Sequence, residues 1–370
     1  MLVVHSAFYN TMPQASDMSL NNLCILRLSA IGDVCHAMAL VQRIRHHWPD
    51  CRITWVIGKI EHQLVGDIPG IRFVVFDKKQ GRAAYQRLKT ELAGEVFDAL
   101  LLMQVAFRAN LAARQIRARR KIGFDWQRSK ELHWWFTDTR IAPQRHAHVL
   151  DGFMAFADAI GVPPVEKPQW HIPIPKEHRE WADTQAKGLG KFVIISPAAS
   201  KAERNWLPER YAQVADYLHQ KGFTVVLCGG PAKLDRELAD KIKQHTNIVQ
   251  EDYVGKTNLK QLLALIERAE LVIAPDTGPA HMATTVGTPV IGLYAHSNPR
   301  RTGPYLDLDK VVSVYDQVVE EQKGKSWQEL PWGTRVKGGD LMARIQAGTV
   351  VEQIDKLLLT NKICPVSEPC

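Results

Sequence analysis

The feature that most limits the fold of this 370-residue chain is an alternation that runs twice. "LCILRL" (23–28), "RITWVIG" (52–58), "IRFVVFD" (71–77) and "FDALLLM" (97–103) are short apolar runs, and segments with helical spacing, such as "DVCHAMALVQRIRHHWP" (33–49) and "GRAAYQRLKTELAG", lie between them. Buried strands alternating with helices form a parallel sheet, because parallel neighbours need a crossover and the helix supplies it. "VPPVEKPQWHIPIP" (162–175) then breaks the pattern. Its prolines remove backbone donors and leave no useful period, so it reads as an extended linker. Beyond it the alternation restarts: "KFVIISP" (191–197), a helix across "PERYAQVADYLHQKG", "FTVVLCGGP" (223–231), a helix from about Lys233 and the run "NIVQ". The helix "NLKQLLALIERAE", a strand in "KVVSVYD" (310–316) and a terminal helix in "TVVEQIDKLLLTN" (349–361) complete it.

Two doubly wound α/β domains are therefore expected, and the length agrees, since single cores stop growing beyond about 250–300 residues. The expected divisions are a flexible leader over 1–21, a domain over 22–175, a second over 176–348, and a helix and tail over 349–370. The opening "MLVVHSAFYNTMPQASDMSL" lacks the basic start and sustained apolar core of a secretory signal. The longest apolar stretch, "ALLLMQVAF" (99–107), falls short of the roughly 20 residues a bilayer-spanning helix needs. Six scattered cysteines without a C-x-x-C pair indicate neither a zinc site nor a disulfide framework and fit a reducing cytoplasm. The net charge of +8 points to anionic partners, or to nothing more than a soluble basic surface.

In an open parallel sheet, ligands collect outside the carboxyl ends of the strands. Three loops there carry chemistry. "LSAIGDV" (28–34) feeds a helix whose first turn holds Asp33. That carboxylate either complements the helix dipole or waits at a cleft to accept a proton from an attacking hydroxyl. The loop carries neither a dinucleotide fingerprint nor a Walker motif. "SPAASKAERNWLPERY" (196–211) gathers Ser200, Lys201 and Arg204, either a phosphate clamp or a solvated loop with accidental charges. After "LCGGP", Asp235 is a candidate for a ribose hydroxyl. The third loop lies within "ELVIAPDTGPAHMATTVGTPVIGLY" (270–294). Asp276, Thr277 and Gly278 form its turn, Pro279 sits near the first position of a helix, and free amides at that helix start favour an anion. His281 falls on the same first turn. Asp-Thr-Gly also marks aspartic proteases, but those need two carboxylates sharing a proton in an all-β setting.

Together, "LRLSAIGDV", "SPAASKAERNWLPERYAQVADYL", "VVLCGGP" and "LVIAPDTGPAHMATTVGTPVIGLYAHSNPRRTGPY" resemble, in the same order, the family 9 glycosyltransferases, the ADP-heptose:lipopolysaccharide heptosyltransferases. The resemblance covers about residues 22–360, and the D-[ST]-G-x-x-H segment is its most specific part. It implies the GT-B architecture: two Rossmann-like domains facing a central cleft, the acceptor on the N-terminal domain and the nucleotide sugar on the C-terminal one. It implies an inverting enzyme that moves heptose from ADP-heptose onto the inner core of a lipopolysaccharide acceptor, without a metal or cofactor.

Carried over by residue, Asp33 matches the proposed general base, and Thr277 and Gly278 the donors to the diphosphate. Arg204 stands where the family usually has a lysine, Ser200 matches a hydroxyl position, and His281 matches the histidine of its segment. Asp276 resembles a sugar-holding or turn-fixing carboxylate. Asp235 rather than Lys233 suits the ribose. The implied acceptor is phosphorylated lipid A with its first core sugar. The basic run "FRANLAARQIRARRKIGFDWQRSK" (107–130) offers Arg108, Arg114, Arg120 and Lys121 to receive it, with a solvated helix face as the other reading. No nucleic-acid motif accompanies the run. The expected protein is a cytoplasmic monomer in peripheral contact with the inner face of the inner membrane. The alternatives are a transferase or epimerase of the same shape with another nucleotide sugar, and a catalytically silent binding protein.

Overall fold

A computed structural model describes residues 20–249 and 251–364. Most of the expected leader and the end of the tail lie outside the described residues. The first sheet comprises β1 (Asn22–Leu26), β2 (Arg52–Gly58), β3 (Ile71–Phe76), β4 (Phe97–Leu102), β5 (Ala118–Gly123) and β6 (Thr139–Arg140). Its order is β3-β2-β1-β4-β5-β6, every pair parallel. The helices between and after these strands are α1 (Ile31–His47), α2 (Lys59–Val65), α3 (Arg82–Glu91), α4 (Phe107–Ala113) and α5 (Val149–Ala159).

The second sheet repeats the plan with β7 (Phe192–Ile195), β8 (Thr224–Leu227), β9 (Glu251–Asp252), β10 (Leu271–Pro275), β11 (Val290–Tyr294) and β12 (Val312–Ser313). These lie in the order β12-β11-β10-β7-β8-β9, again all parallel. Around them run α6 (Lys176–Leu189), α7 (Pro208–Gln220), α8 (Lys233–His245), α9 (Leu259–Arg268), α10 (Gly278–Val286), α11 (Pro299–Thr302), α12 (Tyr315–Lys323) and α13 (Ala347–Leu359). This is the doubly wound α/β plan expected from the alternation.

Local chemistry sets the element ends. α1 carries Asp33 in its first turn and Arg45, His46 and His47 in its last, each sign opposing the dipole end it faces. It stops at Trp48 because Pro49 disfavours a helical residue before it. α9 opens on a capping box in which the Asn258 side chain accepts from Gln261 N and the Gln261 side chain returns to Asn258 N. α10 closes on Gly287, whose φ of +80° belongs to the left-handed region that glycine enters without penalty.

One apolar core crosses between the domains. Ala37, Met38 and Val41 of α1 belong to the same buried cluster as Ala280, Met282 and Ala283 of α10, and α1 packs directly on α10. Lys260 on α9 adds a polar tie, donating to Asp67 (2.6 Å) and to the Pro173 carbonyl (2.5 Å). A second core lies under α7, α8 and α13, and a third on the far face of the first sheet.

Several local expectations change. The basic stretch 107–130 contains strand β5, which its charges hid. Beyond the run "NIVQ", whose last residue lies outside the described residues, Glu251 and Asp252 pair with β8. In "KVVSVYD" only Val312 and Ser313 pair, and Tyr315 already starts α12. The segment that follows α12 straps back onto the first domain, with Trp332 Nε1 donating to Ala147 O at 2.6 Å. Cys24, Cys35, Cys51 and Cys228 are free and buried, and Cys364 is disulfide-bonded. No described helix is long and apolar enough to cross a membrane.

Candidate active site

Each sheet reverses its strand order beside its first strand: β1 lies between β2 and β4, and β7 between β8 and β10. Crossovers leave such neighbours in opposite directions, and the loops part to form a crevice at the strands' carboxyl ends. The segments that follow β1, β7 and β10 carry Asp33, Arg204 and Asp276 respectively, so the three stretches singled out by sequence all flank a switch point.

In the first domain Asp33 is the third residue of α1. Its Oδ2 accepts from Ala30 N (3.2 Å) and pairs with the Arg27 guanidinium. Arg27 is itself fixed: Nη1 donates to Met103 O beyond β4, and the guanidinium carbon stands 5.2 Å from the centre of the Phe153 ring. Gln104, next in that loop, accepts from Leu28 N at 2.8 Å. Both of these Asp33 contacts fall on Oδ2. The Asp33 side chain is 31% exposed, so it is neither sealed in the core nor free on the surface.

In the second domain Asp276 organises the corner. It accepts from Ser297 Oγ (3.1 Å), lies 3.7 Å from His281 Nε2 and 3.8 Å from Arg204 Nη1. Burial pushes its pKa up, but His281, Arg204 and Ser297 together outweigh burial and hold the carboxyl below its ordinary range. Thr277 caps α10, and Pro279 in the first turn costs no hydrogen bond because that turn's amides have no helical partner. Thr277 Oγ1, His281 Nδ1 and Arg204 Nε are buried without a hydrogen-bond partner. Orphaned buried polar atoms are costly, and three beside an open helix N-terminus describe a site completed by a polar ligand.

The two halves touch at this corner. A Cβ on Gly32 would lie 2.4 Å from His281 Cδ2, and one on Gly278 would lie 3.2 Å from Ile31 Cγ2. His36 of α1 packs edge-on against His281 (4.8 Å between ring centres) and against His148 (5.2 Å). His148 accepts from Leu150 N at Nδ1 (3.0 Å), so its proton sits on Nε2 and donates to Gly303 O of the second domain (3.0 Å). Burial lowers the His148 pKa to about 4, and burial with the neighbouring histidines holds His36 well below the usual range, so both rings are neutral at pH 7. Tyr305 closes the same seam by donating to Asp151 Oδ1 at 2.9 Å.

The structure thus brings together Asp33, Arg204, Asp276, Thr277, Gly278 and His281. Ser200 and Lys201 lie exposed on the neighbouring loop, Lys201 3.8 Å from Glu203. Asp235 Oδ1 accepts from Gly230 N (2.7 Å) and holds the two-glycine turn after β8, leaving its second oxygen for any ligand role. Arg108 and Arg114 are exposed at opposite ends of α4. Arg120 and Lys121 are partly engaged within the fold. They lie within β5, where Arg120 donates to Ala159 O (3.1 Å), at the end of α5 remote from His148, and Lys121 Nζ to Ala113 O (3.0 Å). These donors satisfy helix C-terminal carbonyls.

Sequence reasoning missed Arg27, His36, His148, Arg128 and Arg301. Arg27 alone left a trace, a charge embedded in an apolar strand. Arg128 keeps Nη1 buried and unpartnered while Nη2 donates to Gln144 Oε1 (2.9 Å). Arg301 lines a groove with Thr302, Trp332 and Arg335, and burial followed by repulsion from Arg335 lowers its pKa. Among the described residues no group of three metal-ligating side chains converges.

The glycosyltransferase family 9 (heptosyltransferase) profile matches residues 85–330. The chain is 49% identical over 336 residues to the lipopolysaccharide core heptosyltransferase OpsX of Haemophilus influenzae, covering 91% of this chain and 96% of that protein. Its backbone superposes with a TM-score of 0.75 on the family 9 glycosyl transferase of Veillonella parvula, at 25% identity over 92% of this chain and 97% of the other. With Escherichia coli heptosyltransferase WaaC, solved with ADP, the TM-score is 0.69 at 18% identity, over 90% and 99% of the two chains.

Proposed function

The chain belongs to glycosyltransferase family 9, the heptosyltransferases, and on that premise we propose that it transfers heptose, with inversion, from ADP-heptose to the inner core of a lipopolysaccharide acceptor. The observation that carries this reading is the contact of two helix starts. α1 presents a carboxylate and α10 presents unpaired amides, and Gly32 against His281 holds them at one corner.

In the proposed reaction Asp33 Oδ1 accepts the proton of an acceptor hydroxyl as its oxygen attacks the anomeric carbon. Arg27 fixes the other oxygen, so that Oδ1 keeps one direction. ADP leaves on the opposite face. Charge growing on its diphosphate meets the amides of Thr277 and Gly278, the α10 dipole and the Arg204 guanidinium, donors that need no reorganisation during the reaction. Asp276 orients Arg204 and His281. Ser200 and Lys201 add to the phosphate contacts, and the free oxygen of Asp235 takes the ribose.

Residues 22–175 are assigned to the acceptor and 176–348 to the nucleotide sugar. Arg108 and Arg114, joined by Arg128 and Arg301, receive the acceptor's anionic groups. The setting proposed is the inner face of the inner membrane, with the protein a peripheral monomer. A thermal-shift comparison of nucleoside diphosphates tests the donor assignment, because a ligand bound only by the native state raises its melting temperature. ADP is expected to stabilise and UDP and GDP not to; preferential stabilisation by UDP would redirect the reading to a different sugar nucleotide.

A further inference from the structure

The aromatic side chains of the loop from Phe124 to Phe136 take no part in the proposed transfer reaction. Trp126 and Trp135 are 62% and 66% exposed, and Leu132, Phe107 and Trp134 beside them 43%, 46% and 39%. Trp126 and Trp134 rings lie 5.9 Å apart and Trp134 and Trp135 rings 5.4 Å, so the aromatics form one patch. Contiguous exposed apolar surface of this kind marks an interaction site, whereas single exposed side chains do not.

The loop is built to hold these side chains outward. Asp125 Oδ1 accepts from Gln127 N and Arg128 N (2.9 and 3.1 Å), and Ser129 Oγ donates to Asp125 O (2.9 Å). Buried His133 accepts from Phe124 N (3.1 Å) and donates through Nδ1 to Asn110 Oδ1 (2.9 Å), and Asn110 Nδ2 donates to Glu131 O (2.9 Å). Glu131 and Leu132 both adopt positive φ (51° and 61°), a costly conformation for residues other than glycine that surrounding bonds must enforce.

Charge identifies the occupant. Residues 107–145 contain ten Lys and Arg against three Asp and Glu, and the Arg140 guanidinium stacks 4.0 Å over Trp126. Tryptophan, apolar in its body and polar at its N–H, settles at the headgroup level of bilayers, and basic residues beside it favour anionic lipid. The loop leaves the carboxyl end of β5, the edge that also carries the Asp33 loop, two strand positions from β1 or roughly 10 Å along the sheet.

We propose that the Trp126–Trp134–Trp135 patch with its basic surround docks the protein on an anionic phospholipid surface and presents the crevice to headgroup-level sugars. This rests on the reading that the acceptor is a lipid. The test uses vesicles holding no acceptor and no sugar nucleotide, so the two readings fail separately. The full chain is sedimented with vesicles of phosphatidylethanolamine and phosphatidylglycerol, and with vesicles of phosphatidylcholine alone. The expected result is binding to the anionic vesicles, reduced at least tenfold in Trp126→Ser/Trp135→Ser, with the melting temperature and turnover of a deacylated, water-soluble acceptor unchanged. Equal binding by the double variant, or no binding by the natural chain, overturns the proposal. Concentration-dependent self-association in sedimentation velocity that the double variant abolishes also overturns it, assigning the patch to a second copy.

Discussion

Gly32 and His281 meet across the seam between the domains: a Cβ on residue 32 would stand 2.4 Å from the imidazole Cδ2. The imidazole has no room to retreat, with His36 on one side and Asp276 on the other. Gly32→Ala is therefore expected to overpack the seam, costing about 1–3 kcal/mol. Thermal unfolding would register this as a fall of several degrees, and kcat would drop as Asp33 and α10 are pushed apart. An unchanged melting temperature would mean that the helix starts can part freely.

Asp33→Asn keeps the shape and the contact with Ala30 N but removes the proton acceptor. A positioned base contributes typically 10²–10⁴-fold, and a loss of that size in kcat is expected. Calorimetric affinity for ADP should not move, because Asp33 lies on the other domain from the donor corner. Retained turnover would remove Asp33 as the base.

Arg204 faces Asp276 with one nitrogen at 3.8 Å and leaves Nε buried and unpartnered. Hydrogen bonds to charged groups contribute about 1.5–3 kcal/mol. Arg204→Ala should accordingly weaken ADP binding roughly ten- to hundredfold, and Arg204→Lys should recover part of it, keeping the charge but not the planar fork. Alanine and natural proteins binding ADP equally would take Arg204 out of the donor site.

The histidine seam gives stability a pH dependence of definite sign. His148 is lowered to about 4 in the folded chain, against about 6.5 when unfolded. Between these values the unfolded chain binds the proton and the folded one does not, so stability is complete above about pH 6.5 and declines as pH falls toward 4. At its full extent the decline is on the order of 3 kcal/mol for this residue. His148→Asn, which still offers a helix-capping side chain, should reduce the slope of the unfolding free energy over that range, the contributions of His36 and His133 remaining. An identical slope in the variant would show that the seam does not govern it.

Both sheets and the loops beyond β1, β7 and β10 were legible because apolar runs and helical periods are local signals, and a glycine- or proline-marked turn after a strand is another. Charge misled where tertiary context overrode it: "ARRKIG" forms a strand because Arg120 and Lys121 find carbonyls at the ends of α5 and α4. The histidine seam was illegible for a different reason. His36, His148 and His281 are separated by more than a hundred residues at each step, and nothing local distinguishes a histidine that meets another across two domains from one buried in a core. Asp235 was read for its acidity, whereas its present partner is a backbone amide at the Gly229–Gly230 turn. Only the folded loop brings Trp126, Trp134 and Trp135 together on the outside.

The most direct test of heptose transfer is to incubate the purified chain with ADP-heptose of known anomeric configuration and a deacylated, phosphorylated core acceptor, and to follow ADP release alongside the anomeric proton of the product. The account predicts ADP release that depends on acceptor and a new glycosidic bond of configuration opposite to the donor's. Release at the same rate without acceptor, or a product that keeps the donor's configuration, would contradict it.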